Sequence, residues 1–336
     1  MDFGQTLARR WSALRVPVAG RLIQRYALHA GGSVKGLQIW FVLATVPALV
    51  VSLLASFDSD GGSALALSSA LLLTGIGTSF VWHFVFAVMR PRKLDSGWFM
   101  HGWLFCLLLP LNTSPLLVIL GASFGVVIGA LIVGGTGRYV VSPALLGAVF
   151  LMLSYPAAFT EAGAQSTWQQ LLASGSQVPE GWTTTFLLQN GIGVGTASAA
   201  ACAVGVLILY AVGAASLRIV AGALVGAALA AELFAVGYGD GVSALPTHWH
   251  WIVGYFPFCL AFIATDPSPA AATRAGRWFY GALFGVLVVT LRVLNPEHPE
   301  ATLAACLLAS LFSPLIDQCC VRFALKRWRL RKAHGR

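Results

Sequence analysis

Three carboxylates stand out because apolar sequence surrounds them. Asp266 sits in Thr265-Asp266-Pro267-Ser268-Pro269, where an apolar run stops at an acid and two prolines. Asp317 closes LFSPLID (311–317) beside Ser313 and Pro314, and Glu232 interrupts AALAAELFAVG (227–237). An acid in such a setting can hold a partly dehydrated cation or exchange a proton. It can equally cap a helix end, or reach to a membrane interface. Both kinds of role stay open at each position. Gly134, Gly135 and Gly137 in GGTGR (134–138) offer bare backbone that a planar quinone or flavin ring can approach closely, although a tight turn needs the same residues. No Lys-Ser/Thr pair follows, so the loop is not the phosphate cradle of an NTPase. The sequence shows no metal-ligand spacing and no hydrolase triad. The six cysteines lie mostly inside apolar runs and read as small buried hydrophobes. His248, Trp249, His250 and Trp251 read as an aromatic belt at an interface.

The elements that carry these residues are membrane spans. Hydrophobic residues make up 57% of the chain and charged residues 10%, which excludes an ordinary soluble domain. The mean hydropathy is +0.79. The net charge of +9 resides in the ends and short loops, as expected for a bilayer surface rather than nucleic acid. The first apolar run begins near Leu37, after a basic lead without a small-residue cleavage site, so no cleavable signal peptide is expected. Ten spans are expected over 37–56, 63–88, 98–110, 116–133, 140–155, 186–212, 219–236, 251–264, 278–293 and 302–323. A basic interfacial segment (1–36) precedes them and a basic tail (324–336) follows. A polar loop (156–185), with Glu161 and Glu180 but no lysine or arginine, separates two groups of five. With both termini in the cytoplasm, Arg90, Arg138, Arg218, Arg274, Arg277 and the tail fall inside. Asp58, Glu161, Glu180, Asp240, Glu297 and Glu300 fall outside, and Arg292 is the single misfit.

The two groups echo each other. FCLLLPLNTSP (105–115) answers the segment from Phe258 to Pro269, and LGASFGVV (120–127) answers YGALFGVL (280–287). SPALLGAVFL (142–151) then answers HPEATLAACLL (298–308). Five spans per repeat make the copies run in opposite directions. The expected fold is therefore an all-α polytopic membrane protein of two inverted five-helix repeats, 37–155 and 186–323, with sites where the broken helices meet.

GGTGRYVVSPALLG (134–147), WHWIVGYFPF (249–258), ATDP (264–267), AGRWFYGALFG (275–285), LRVLNPEHPE (291–300) and LFSPLID together resemble the NqrB/RnfD family. These are membrane subunits of the sodium-translocating NADH:quinone reductase and of the Rnf ferredoxin:NAD oxidoreductase. GGTGR is closer to the quinone-reductase branch. The resemblance covers about 95–323 and implies a urea-transporter-like inverted repeat in the bacterial cytoplasmic (inner) membrane. It also implies partner subunits, flavin (FMN or riboflavin) and electron transfer coupled to sodium or proton movement. It places the glycine loop near quinone, assigns Asp317 to ion uptake, and makes Thr167 the counterpart of a threonine that carries covalent FMN.

Three departures qualify that transfer. Around Thr167 the sequence reads Glu161-Ala162-Gly163-Ala164-Gln165-Ser166-Thr167-Trp168, with glutamine where the family has glycine, so flavin bound without a covalent link is the expectation. Thr196 in GVGTASAAA (193–201) stands where family members have a glutamate, and Ala130-Leu131 replaces a Lys-Glu pair. The resulting expectation is a non-autonomous subunit of an Nqr/Rnf-like complex, with Asp266, Asp317 and Glu232 on an ion path. A channel or carrier for a small neutral solute, or a scaffold subunit without redox work, remain the alternatives.

Overall fold

The computed structural model describes residues 34–60, 62–90, 94–159, 166–173, 181–190, 193–237 and 245–334. Residues 1–33 of the expected interfacial segment (1–36), residues 160–165 and 174–180 of the external loop, and Asp240 lie outside the described residues. Everything described is helix or connection. Among the described residues thirteen helices follow in order: α1 Val34–Asp60, α2 Gly62–Met89, α3 Trp98–Leu108, α4 Pro115–Val126, α5 Pro143–Ser154, α6 Thr167–Ala173 and α7 Trp182–Leu187, then α8 Ala199–Ala211, α9 Leu217–Gly237, α10 Thr247–Ile252, α11 Phe256–Phe258, α12 Arg274–Leu294 and α13 Ala301–His334. Wide π-type turns, Val127–Leu131 and Cys259–Ile263, extend α4 and α11.

α1, α2, α9, α12 and the 301–326 stretch of α13 are long and apolar enough to cross a bilayer. They match five expected spans to within a few residues. With no strand among the described residues, the chain is an all-α polytopic membrane protein. Two other expected spans are not continuous. Residues 186–212 divide into the end of α7 and into α8. Between them Gly195 N–H donates to Leu107 O at 2.8 Å and Val194 N–H to Leu109 O at 2.9 Å. Those bonds satisfy carbonyls at the end of α3 and at the start of the break over 109–114. Residues 251–264 divide at Gly254, whose φ of +71° no branched residue adopts easily, and Pro257 opens the next turn.

Gln189 stitches this irregular region. Its side-chain amide donates to Thr196 O (2.9 Å) and Ile252 O (3.0 Å), while its oxygen accepts from Gly254 N–H (3.2 Å). Elsewhere small residues bring helices together. α9 packs on α12 so closely that a Cβ on Gly222 would stand 2.6 Å from Trp278 O, and Gly226, Gly281 and Gly285 are equally confined. The interior is a continuous apolar core from α1, α3, α5, α8, α9, α11, α12 and α13. Within it the two breaks, 109–114 and 264–273, hold the polar backbone.

Candidate functional site at the helix breaks

Asp266 lies in the second break and is 2% exposed. The prolines on its C-terminal side end helical bonding, so its backbone turns away and the carboxylate is held by donors from nearby. Ser268 N–H donates to Oδ1 at 3.0 Å, and the Tyr139 hydroxyl donates to Oδ2 at 2.9 Å. The segment is non-helical and lies between the apolar spans. Burial lifts the Asp266 carboxyl from 3.8 to about 6, against the pull of the Ser268 and Tyr139 donors. A cavity of about 290 Å³ opens beside it, lined by Gln38 and Phe41 of α1, Met100 of α3, and Thr136, Arg138 and Tyr139.

Asp317 comes from α13 but acts on the same break. Its carboxylate accepts from Ala272 N–H (2.7 Å), Thr273 N–H (3.0 Å) and the Thr273 hydroxyl (2.7 Å). Thr273 in turn caps α12 through Gly276 N–H at 3.0 Å. Both oxygens of Asp317 are thus occupied in fixing the exit of the break. Asp266 keeps an open cavity instead.

The glycine loop adjoins Asp266, and Gly137 lines the same cavity. Gly134, Gly135 and Gly137 have φ of +124°, +92° and +81°, so all three positions need glycine for the turn itself. The turn is tied to Asp95, which accepts from Thr136 N–H at 2.6 Å and Gly97 N–H at 3.3 Å. Burial alone would raise the Asp95 carboxyl, but these Thr136 and Gly97 donors outweigh it and hold it below 3.8. A second cavity of about 290 Å³ is lined by Gly134 and Gly135, by His83, Phe86 and Arg90 of the α2 end, and by Asp95 and Arg138. The Arg90 guanidinium lies 5.2 Å from the Phe86 ring centroid and donates to Leu131 O at 3.0 Å, so what the cavity offers a planar ring is glycine backbone for close approach and two cations that favour developing negative charge. The two cavities share Thr136 and Arg138.

The other expected site residues stand elsewhere. α12 has 21 residues, so about 30 Å separates its Thr273 cap from its far end. At that far end Arg292, 1% exposed, donates to His250 O at 2.8 Å and Val253 O at 2.7 Å, with its guanidinium 4.9 Å from the Trp168 ring. Arg292, the misfit of the charge pattern, is therefore held by carbonyls and an aromatic face. Trp249 and His250 are buried with it, so these two of the four residues expected to form an interfacial aromatic belt pack inside the protein, while His248 is exposed. Thr167 precedes Trp168 and opens α6. Its N–H donates to Asn190 O at 3.1 Å, and its hydroxyl accepts from Asn190 N–H at 2.9 Å. Glu232 is exposed and accepts from the Thr247 hydroxyl at 2.8 Å. The structure thus brings Asp266 and the glycine loop to one cavity, sets Asp317 on the exit of the same break, and leaves Thr167 and Glu232 at the other end.

Sequence reading passed over Asp95, Tyr139, His83 and His101. Tyr139 directly follows GGTGR, which was a usable signal. Isolated histidines in apolar helices carry no spacing to reveal them.

The sequence model of the NQR2, RnfD, RnfE family matches residues 24–326. The chain is 36% identical over 305 residues to the B subunit of the Na(+)-translocating NADH-quinone reductase of Klebsiella pneumoniae, covering 83% of this chain and 73% of that protein. Proteins of the same name from Yersinia pestis (36% over 306 residues, 84% and 73% covered) and Pseudomonas aeruginosa (36% over 298 residues, 83% and 74% covered) are similar to it as well.

Proposed function

The chain belongs to the NQR2, RnfD, RnfE family, and from that premise we propose that it is the membrane subunit of an ion-translocating electron-transport complex of the NADH:quinone type. The observation that carries this reading is the family match across nearly the whole chain. The geometry supports it: a buried acid with an open cavity lies next to a glycine-walled cavity suited to a redox ring. A solute channel or a bare scaffold would leave that pairing without a use. The subunit works with partner subunits that oxidise NADH or ferredoxin, in the bacterial cytoplasmic (inner) membrane with both termini in the cytoplasm.

In this reading the chain is an inverted repeat of ten passes. The paired breaks at 109–114 and 264–273 and the echoing sequences support it. Asp266 is the ion- or proton-handling group, and Asp317 shapes the break that presents it. Gly134 and Gly135, with Gly137 completing the turn, form the approach for quinone or a flavin ring. Arg90, stacked on Phe86, and Arg138 hold its negative charge. A flavin bound there supplies one- and two-electron chemistry. Thr167 is the less suited anchor, because its hydroxyl is engaged by Asn190 and Trp168 beside it is fixed by a bond from Nε1 to Pro296 O at 2.8 Å. Non-covalent flavin is the consequence.

The test is to purify the subunit with its partners, denature it, and image flavin fluorescence on the gel. Flavin released from the band supports this account. Fluorescence that stays on the band and disappears in Thr167→Val moves the anchor to Thr167. Absence of any flavin removes the cofactor from this subunit.

A further inference from the structure

The wall between the two cavities contains polar groups that none of the roles above uses. His83 of α2 and His101 of α3 are each 1% exposed. His83 Nδ1 stands 2.8 Å from Ser79 O. A carbonyl only accepts, so Nδ1 carries the hydrogen and, in the neutral ring, Nε2 is left with a lone pair. That Nε2 has no partner among the described residues, and His83 lines the glycine-loop cavity. His101 is more unusual: neither ring nitrogen has a partner among the described residues. A buried polar atom left so has given up water without gaining a partner, which a stable core avoids unless water or a ligand completes it.

The rings form a line. His83 and His101 are 5.6 Å apart, and His101 and Tyr139 5.5 Å, measured between centroids. Tyr139 then reaches Asp266 directly at 2.9 Å. No hydrogen bond joins His101 to either neighbour among the described residues, so a relay through it needs ordered water at its ring nitrogens. Polar atoms on both sides make such water stable, where an apolar gap would stay dry. Imidazole nitrogens are poor ligands for a hard cation, so the histidines do not continue a sodium path. No cluster of three or more metal-binding side chains occurs among the described residues.

We infer that His83 exchanges a proton at Nε2 with the occupant of the glycine-loop cavity, and that ordered water, His101, Tyr139 and Asp266 relay protons to it from the second cavity. The occupant is a quinone-type carbonyl compound, and this part rests on the quinone-reductase reading given above. His83 Nε2 first takes a proton through the relay; as the quinone then takes up an electron pair from the redox centres of the complex, that Nε2–H bond breaks and an O–H bond forms on a ring oxygen. His83 returns to its Nδ1–H form with that bond to Ser79 undisturbed. His101 passes on the next proton, and Asp266 loses one that water in its own cavity restores. Two passes complete one quinol. Tautomer fixing is what makes His83 the terminal group: one nitrogen stays bonded while the other cycles.

The test uses the intact complex and two readouts. A cryo-EM map that resolves water should show density within hydrogen-bonding reach of both His101 nitrogens and of His83 Nε2, lost in His101→Phe. Quinone reduction by His83→Gln and His101→Phe should fall at least tenfold in kcat with KM unchanged. The solvent deuterium isotope effect should rise, and reduction of the complex by its electron donor without quinone should stay at the wild-type rate. A dry His101, or wild-type turnover and isotope effect in both variants, overturns the relay. If the unmodified complex reduces no quinone, the functional reading fails by itself. The map then decides the relay: hydrated His101 joining the two cavities sustains it, and an unhydrated one overturns it.

Discussion

The Tyr139 hydroxyl donates to Asp266 Oδ2 at 2.9 Å, joining side chains 127 positions apart, one from each half of the chain. The bond ties the glycine loop to the second helix break, so a change at either is felt at the other. It also favours the ionised carboxylate. Tyr139→Phe therefore raises the Asp266 carboxyl above its value of about 6. In infrared pH titration of the complex, the protonated-carboxyl band identified by Asp266→Asn should persist to higher pH in Tyr139→Phe. A band that titrates unchanged would show the bond to be absent.

Asp266 also links stability to pH, and the sign is opposite to that of a salt-bridged acid. Its folded value of about 6 lies above the ordinary 3.8, so the native state holds the proton more tightly than the unfolded chain. Stability from this group is fully present below pH 3.8 and is lost as pH rises through about 6. The loss amounts to roughly 3 kcal/mol when complete. Asp266→Asn, which cannot ionise, should have a higher Tm than wild type at pH 8, and the gain should shrink toward pH 4. Thermal unfolding in detergent across that range measures it.

Asp317 receives three hydrogen bonds from the exit of the break. Asn keeps one acceptor oxygen but turns an NH2 group toward donors, so Asp317→Asn should lose about 3 kcal/mol of stability, the upper range for charge-assisted bonds. Its Tm should drop at neutral pH, and ion-coupled activity should fall with the folded fraction and no further. Full stability with selective loss of ion coupling would instead make Asp317 an ion ligand.

Gly135 has φ +92°, and a Cβ there would stand 2.6 Å from Asp95 Oδ2. Gly135→Ala meets about 1–2 kcal/mol of backbone strain and also displaces the carboxylate that holds the loop. Quinone turnover should fall at least tenfold in kcat/KM. Gly77→Ala is the control, because a Cβ there meets nothing within 4 Å and should leave turnover unchanged.

What the sequence made legible was the punctuation. Proline beside Asp266 and glycine in GGTGR dictate backbone geometry locally, so both features were found where the structure has them. The long spans were legible for the same reason, since about twenty apolar residues have few other uses. The interruption at 188–198 was not, because its small and apolar residues read as continuing helix. It exists because Val194 and Gly195 complete the Leu109 and Leu107 carbonyls, at the end of a helix far earlier in the chain. Burial of Trp249 and His250 likewise depends on Arg292 and Trp168, which arrive from other segments. His83 and His101 acquire meaning only once α2 and α3 set their rings side by side.

The most direct test is ion uptake by proteoliposomes containing the whole complex, driven by NADH and quinone, with Asp266→Asn beside wild type. The account predicts that wild type takes up sodium or protons in proportion to electrons transferred. In Asp266→Asn quinone reduction continues at a reduced rate with uptake per electron at least tenfold lower. Equal uptake per electron in the two proteins would contradict the role of Asp266. Quinone reduction by wild type without any ion movement would contradict the assignment as an ion-translocating subunit.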